Sequence, residues 1–345
     1  MGEKKYFDEI TLMKGWCILL AVVGHSFPDA VKGFNIIGEN SFANFLLGWI
    51  YCFHMAAFFA CAGFLMVPKL ADISEARQQL KKRFKRLMIP YFFYSLLYLG
   101  MKSIVGGQFI DHPLTSESLI GIFLGDSPCF GAWFLWTLFV ISSICILLRK
   151  ITIKWLLLIS AILAIVLKYL PADFLPIGFM RVFGYMVWFF LGGFLGVNYS
   201  RISRISYPLL PAIGGFSLLT LLHFFGPSSD LYYLETYGIY LKTLSGIVGT
   251  WGFSMWLKTH RTTYGYKCLK LFGVYCMDIY MLSMYVLVPL RIIFVNFSAK
   301  NYINYYVWIV FAIICGTIIP IVLSKFIVRK NKVLNMFLKS ATYRV

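Results

Sequence analysis

The segment Ile303–Ser324, INYYVWIVFAIICGTIIPIVLS, is largely apolar and contains no charged side chain. A helix needs about 20 mostly apolar residues to cross the hydrocarbon core of a bilayer, so this segment predicts a transmembrane helix. The whole chain has the same character, because 60% of its 345 residues are hydrophobic and only 13% are charged. A soluble domain carries about 25% charged residues. We therefore expect an all-α, polytopic membrane helix bundle.

Segments of this kind, bounded by proline, glycine or charge, recur along the chain and predict about ten transmembrane helices. They run near residues 10–27, 42–67, 87–105, 132–148, 155–170, 180–198, 207–225, 237–257, 272–297 and 303–328. Because the fourth and fifth are short, nine or eleven spans are also compatible with the pattern. No repeat or polar linker divides the chain. We expect a single membrane domain over residues 1–345, with a short tail at 329–345.

The basic residues that give the net charge of +18 are distributed unevenly along the chain. Of 32 lysines and arginines, 24 lie at the termini or in loops that follow even-numbered spans, two lie in the alternate loops and six lie within spans. By the positive-inside rule, both termini are expected in the cytoplasm. Membrane topology thus explains most of the basic excess, and we expect no nucleic-acid partner. The eight cysteines include no CxxC pair, so we expect buried thiols and no metal site.

Ionisable side chains within spans are candidates for function, because a charge inside a bilayer is costly. Lys14 and His25 lie eleven residues apart, which places them on one face of the first span and about 16 Å apart along its axis. The pair puts a cation near the cytoplasmic side and an imidazole toward the outer side. An interfacial lysine and a packing histidine are the alternative interpretation.

Other intramembrane ionisable residues are less specific. His54 either lines a cavity or is a hydrogen-bonded packing residue, and either Asp8 or Asp278 is a candidate to orient a basic partner. We expect the remaining basic residues to snorkel to the outer interface, because each lies near a predicted outer end. They are Lys102, Lys168, Arg181, Lys242 and Arg291.

Residues 72–86 are predicted to form a basic amphipathic helix on the cytoplasmic surface. One apolar stripe recurs at intervals of three and four residues, and lysines and arginines occupy the rest of the helix. Such a helix binds anionic lipid headgroups. Alternatively its arginines hold a phosphorylated ligand, because a guanidinium matches phosphate geometry.

Three of these stretches together resemble the acyltransferase-3 family of membrane acyltransferases. Lys14 through His25 resembles its first-helix motif, a basic residue and a histidine separated by ten residues. Arg83-Phe-Lys-Arg86 is similar to its Arg-x-x-Arg motif, and Phe53-His-Met-Ala-Ala-Phe-Phe-Ala-Cys-Ala-Gly-Phe64 to its second helix. Weaker similarities follow around Trp133, Phe190–Gly193 and Phe272–Ser283, so that the resemblance covers nearly the whole chain.

The chain also departs from the family pattern. Ala56 replaces the usual proline, Ala62 replaces the usual serine, and Ser283 stands where many members carry a histidine. We interpret Ser283 as a variation in substrate specificity. Many relatives carry an extra periplasmic esterase-like domain that this chain lacks, so the stand-alone branch similar to fucose-4-O-acetylases is the nearer resemblance.

The resemblance implies an O-acyltransferase that carries an acetyl group from cytosolic acetyl-CoA, a cosubstrate, to a hydroxyl of a carbohydrate or lipid-linked glycan at the outer face. Lys14, Arg83 and Arg86 would bind CoA phosphates, and His25 would act as general base or as an acyl relay. His54, Asp8, Trp133, Asp278, Tyr280 and Ser283 are candidate cavity-lining residues.

The resemblance further implies a multi-pass protein of a bacterial plasma membrane that modifies polysaccharide of the cell envelope. The acceptor and the length of the acyl group stay open, membrane lipids are partners, and a homo-oligomer is compatible with the sequence. The alternative function is a multi-span transporter or exporter of glycan or lipid-linked precursors. Against it, the chain shows no matching pair of broken helices.

Overall fold

A computed structural model of the chain describes residues 7–27, 41–70, 75–105, 116–129, 131–171, 174–225, 232–297, 301–331 and 334–335. The regular structure of these residues is entirely helical, with no β-strand among them. The helices in chain order are α1 (Asp8–Ser26), α2 (Ser41–Tyr51), α3 (His54–Met66), α4 (Ala76–Arg83), α5 (Ile89–Val105), α6 (Ser116–Phe123), α7 (Trp133–Leu147), α8 (Ile153–Val166), α9 (Ile177–Val197), α10 (Tyr199–Ile202), α11 (Leu209–Phe225), α12 (Tyr232–Thr259), α13 (Tyr264–Val274), α14 (Cys276–Phe297) and α15 (Tyr302–Leu323).

Each of the ten predicted spans overlaps a helix; the span 42–67 overlaps the consecutive helices α2 and α3, and the span 272–297 overlaps the end of α13 and all of α14. Among the described residues, four helical segments are long and apolar enough to cross a membrane: Phe42–Lys69, Ile177–Val197, Cys276–Phe294 and Ile303–Val328. Three shorter apolar helices are α7, α8 and α11. The structure is therefore that of a helical membrane protein, while ten crossings and cytoplasmic termini stay predictions.

The described chain forms two compact units. Unit 1 comprises residues up to Cys61 and the segment Ser203–Lys325, and unit 2 comprises Ala62–Ile202 with the residues from Phe326 onward. Unit 1 is organised around α1, which packs against α2, α12, α13, α14 and α15. In unit 2, α9 packs against α7 and α8, and α4 packs against α7.

The crossing of α1 and α13 in unit 1 depends on two glycines. A Cβ atom on Gly15 would lie 1.9 Å from the backbone oxygen of Leu269, and one on Gly273 would lie 1.9 Å from the backbone oxygen of Thr11. Small residues at a crossing allow two helix backbones to approach closely, as is common in membrane helix bundles. The two glycines thus fix α1, the helix that carries Lys14 and His25, against α13.

The described part of the predicted basic stretch is helical, while its place on the cytoplasmic surface stays a prediction. α4 continues through a π-helical turn, Phe84–Met88, directly into α5. On the apolar stripe Leu87 is buried but Phe84 is 45% exposed, although its ring lies 5.8 Å from that of Phe139 on α7. The π-turn inserts an extra residue into the helical repeat, which rotates the following residues relative to a regular α-helix. Residues 72–74 of the prediction lie outside the described residues.

Candidate functional site

His25 lies in the last turn of α1, one residue before the helix ends at Ser26. Its Nδ1 atom lies 3.4 Å from the hydroxyl oxygen of Tyr51, and the two ring centroids are 6.1 Å apart. His25 is half-buried and Tyr51 is 39% exposed, so this part of the site is open at the surface of the chain. A polar group of a substrate can therefore approach the imidazole.

Tyr51 belongs to a break between two consecutive helices. α2 ends at Tyr51 and α3 begins at His54, and the hydroxyl of Thr243 on α12 donates a 2.7 Å hydrogen bond to the backbone oxygen of Cys52 in the break. At this break the Tyr51 ring lies near both imidazoles, since the centroid of the Tyr51 ring is 5.4 Å from that of His54.

His54 is 3% exposed, and its Nδ1 atom lies 2.8 Å from the backbone oxygen of Ile50. A carbonyl oxygen only accepts hydrogen bonds, so Nδ1 of His54 carries the proton and donates it. This bond satisfies a carbonyl at the end of α2. The sequence left open whether His54 lines a cavity or packs through a hydrogen bond, and the observed bond shows the packing contact.

Side chains from α14 and α15 hold the end of α1. The Nη2 atom of Arg291 donates a hydrogen bond to the backbone oxygen of His25, and Nε1 of Trp308 donates one of 2.9 Å to the backbone oxygen of Ser26. The Ser26 hydroxyl donates to the backbone oxygen of Val22 at 2.7 Å. The last carbonyls of a helix lack partners within the helix, so the donors from Arg291 and Trp308 satisfy two of them and fix the turn that carries His25.

The surroundings of His25 are basic. His25 interacts electrostatically with His54 and Arg291, and Lys242 interacts with Cys52, next to Tyr51. No ion pair among the described residues includes Arg291. The arrangement combines a histidine, a hydroxyl group and a guanidinium, which suits chemistry in which a proton is removed and a negative charge forms nearby.

The opposite end of α1 carries a second polar cluster. Asp8 accepts a 2.8 Å hydrogen bond from the hydroxyl of Tyr266, and its carboxylate lies 3.2 Å from Nζ of Lys270 and 3.4 Å from Nη2 of Arg261. Burial, together with the bond to Asp8, raises the pKa of Tyr266. The basic partners of Asp8 are therefore Lys270 and Arg261, and α1 is fixed at both ends.

The neighbouring carboxylate, Glu9, is fully buried and lies 2.8 Å from Nζ of Lys258 on α12. Lys14 follows on α1, half-buried, and interacts electrostatically with the thiol of Cys61. Lys14 and His25 thus lie on one rigid helix of unit 1.

Arg83 and Arg86 lie in unit 2, at the junction of α4 with the π-turn. Arg83 is half-buried and interacts electrostatically with Cys145 on α7, while Arg86 is exposed. An exposed guanidinium at a basic helix is accessible to a phosphate group.

The remaining candidate residues are divided between the units. In unit 2, the Trp133 ring stacks on Tyr185 at 5.4 Å, and the Arg181 guanidinium lies 5.2 Å from its centroid. In unit 1, α14 carries Asp278 and Ser283, which are 4% and 3% exposed, and Tyr280, whose ring lies 6.5 Å from that of Phe58.

Two residues of the His25 cluster, Arg291 and Tyr51, were not predicted to lie near His25. The prediction that Arg291 snorkels to the outer interface is wrong, because Arg291 is 3% exposed and bonded to the end of α1. The sequence did contain an indication of this, because Arg291 lies roughly 9 Å inside the helix end at Phe297 rather than at the end itself. Tyr51 was missed because it lies inside the predicted span 42–67 and is uncharged at neutral pH, so the search for ionisable residues within spans passed over it.

Comparison with known proteins identifies the domain. A family model described as an acyltransferase domain, acyltransferase-3, matches residues 7–325. The matched region covers most of both units and every candidate residue named above. No curated protein and no solved structure matches the chain.

Proposed function

Because the chain belongs to the acyltransferase-3 family, we propose that it is a membrane O-acyltransferase that moves an acetyl group from acetyl-CoA to a hydroxyl of a carbohydrate or lipid-linked glycan. The family and the apolar helices support an integral membrane acyltransferase. Donor, acceptor and location in a bacterial plasma membrane are the proposed part. The transporter alternative receives no support from the family match.

The observation that carries the proposal is the open contact between His25 and Tyr51 at the end of α1. His25 Nδ1 lies 3.4 Å from the Tyr51 hydroxyl, and both side chains reach the surface of the chain. In the tautomer that the mechanism uses, Nδ1–H donates to Tyr51 and Nε2 serves as the base. A positioned base of this kind typically contributes 10²–10⁴-fold to a rate.

The proposed reaction is an addition to the thioester followed by loss of the CoA thiol. Nε2 of His25 takes the proton of the acceptor hydroxyl while the acceptor oxygen bonds to the thioester carbonyl carbon, and the carbonyl oxygen becomes negatively charged. The intermediate then collapses, the bond from carbon to sulfur breaks, and the CoA sulfur leaves with the proton from the imidazolium. The alternative is a relay in which the acyl group bonds first to His25 and then to the acceptor.

In unit 1, the proposed contact for a CoA phosphate is Lys14, a basic residue of the predicted cytoplasmic side. Lys14 precedes His25 by about 16 Å along α1, so a phosphate near Lys14 requires an extended linker to bring a thioester to His25. The pantetheine arm of CoA is such a linker. Arg83 and Arg86 of unit 2 keep their proposed role as phosphate-binding residues, because a guanidinium fork fits phosphate oxygens.

The test uses membranes that contain the protein, incubated with acetyl-CoA labelled in the acetyl group. Label should enter the glycan or lipid-linked glycan fraction with the wild-type protein and should fall at least about 100-fold in His25→Gln. His260→Gln is the matched control, because His260 is an exposed histidine of the same unit. Equal labelling by His25→Gln and the wild type would contradict the role of His25, and no wild-type labelling would contradict the reaction.

A further inference from the structure

Arg291 is a buried cation without an ionic partner among the described residues. Its side chain is 3% exposed, and no ion pair includes it. The Nη2 atom donates to the backbone oxygen of His25, whereas Nε is buried and has no hydrogen-bond partner in the described structure. A guanidinium in this position is costly, because it is removed from water and keeps a donor unsatisfied.

The contact with the end of α1 offsets only part of the free-energy cost of burying the Arg291 guanidinium. The C-terminal end of a helix carries a partial negative charge of roughly half an electron, and Arg291 contacts it directly. A neutral carbonyl oxygen nevertheless leaves a net positive charge beside His25. Buried polar groups that stay unsatisfied occur at functional sites, where the missing partner arrives with the substrate.

We propose that Arg291 is a catalytic residue that binds the negatively charged oxygen formed on the acyl carbonyl. This inference rests on the proposed function and adds the group that stabilises the anion. Proton transfer to His25 creates an imidazolium close to Arg291, so two cations would lie together. The oxyanion that forms in the same step offsets the new positive charge, so the net charge of the site stays at +1.

The contact between Arg291 and α1 supports this role. The guanidinium that binds the anion also holds the backbone of His25, so the base and the cation keep a fixed separation. A preorganised donor needs no rearrangement when the charge develops, which is why such groups contribute strongly to catalysis. Tyr51, which lies beside the imidazole and interacts electrostatically with Arg291, completes the polar surroundings of the reacting oxygen.

The competing explanation is that Arg291 only caps α1. Trp308 provides a matched comparison, because its Nε1 donates to the neighbouring backbone oxygen, that of Ser26. Trp308→Phe removes a capping hydrogen bond without removing a charge. Arg291→Met removes a capping bond together with the charge, and Arg291→Lys keeps the charge but loses the planar fork.

The kinetic arm compares these variants in acetyl transfer. Arg291→Met should lower kcat by about 100-fold or more, the typical loss of one oxyanion donor, with KM for acetyl-CoA changed less than about threefold. Arg291→Lys should lose about tenfold, and Trp308→Phe less than about threefold. In thermal unfolding the order reverses: Trp308→Phe lowers Tm, whereas Arg291→Met leaves Tm equal or higher, because it removes an unpaired buried charge. If kcat is retained in Arg291→Met, or falls equally in Trp308→Phe, the inference is overturned.

A second arm requires no turnover, so it separates this inference from the proposed function. Potassium acetate, whose carboxylate resembles the acyl oxyanion, is titrated against the purified protein while potassium gluconate holds the ionic strength constant. Acetate should raise Tm of the wild type and of Trp308→Phe but not of Arg291→Met, because a ligand stabilises only the state that binds it. An equal response of all three proteins overturns the anion site. A wild type that binds acetate through Arg291 but transfers no acetyl group contradicts the proposed function alone.

Discussion

Replacing Gly15 by alanine tests the helix crossing that fixes α1. A Cβ at this position would lie 1.9 Å from the backbone oxygen of Leu269, 2.8 Å from its carbonyl carbon and 3.0 Å from the backbone nitrogen of Gly273. All three atoms belong to the backbone, so no side chain can move away. Since ordinary contact begins at 3.4 Å, α1 and α13 must separate by about 1.5 Å.

This separation destabilises the folded protein. Inserting one methyl group into a packed interior typically costs 1–3 kcal/mol, and we expect the upper end of that range because the backbone must shift. The shift also lengthens the 2.8 Å hydrogen bond from Tyr266 on α13 to Asp8 on α1, which contributes about 1 kcal/mol more. We therefore expect Gly15→Ala to lower the free energy of unfolding by about 3–4 kcal/mol.

The assay is unfolding of the purified protein in mixed micelles, followed by circular dichroism. Gly214→Ala is the control, because Gly214 lies in α11 of the same unit and a Cβ there meets nothing within 4 Å. Alanine is the better helix former, so this variant should gain up to about 1 kcal/mol. Gly15→Ala combined with Gly273→Ala should cost less than the sum of the single changes, since both force the same separation. A Gly15→Ala protein as stable as the Gly214→Ala control would refute the close crossing.

Three further predictions concern the ends of α1. Tyr51→Phe removes the long hydrogen bond to His25 but keeps the ring, so acetyl transfer should fall about fivefold, with Tm nearly unchanged; an unchanged rate would contradict a role for the hydroxyl. Lys258→Met leaves the buried Glu9 carboxylate without this cation and should cost about 3 kcal/mol in thermal unfolding, part of which Glu9→Gln restores; a fully additive double variant would show that the two do not interact. Because the pKa of Tyr266 is raised on folding, its bond to Asp8 stabilises the protein below about pH 10 and is lost as pH rises through the folded pKa. The difference in Tm between wild type and Tyr266→Phe should therefore shrink above about pH 10, and a constant difference would contradict the contact.

The positions of the helices could be predicted from the sequence, because the thickness of a bilayer sets the length of the apolar segment that a transmembrane helix needs. The break between α2 and α3 was not, because Cys52 and Phe53 are neither proline nor glycine and the turn depends on a hydrogen bond from Thr243. α13 was also missed as a separate helix, since its lysines obscure the apolar pattern that begins farther along the chain.

The candidate site was likewise predictable from the sequence only in part. The spacing of Lys14 and His25 follows from the geometry of one helix, so the sequence sufficed. The approach of Arg291 to His25 joins residues that are far apart in the chain and depends on the packing of α14 against α1. Periodicity reports which face of a helix is apolar, but it does not report which helices are neighbours.

The most direct test of the central claim is mass spectrometry of surface glycans from cells without the protein, with the wild type, with His25→Gln and with His260→Gln. The account predicts acetyl esters that require the protein, persist in His260→Gln and disappear in His25→Gln. Glycans that are identical with and without the wild-type protein, or equally acetylated in His25→Gln, would contradict it.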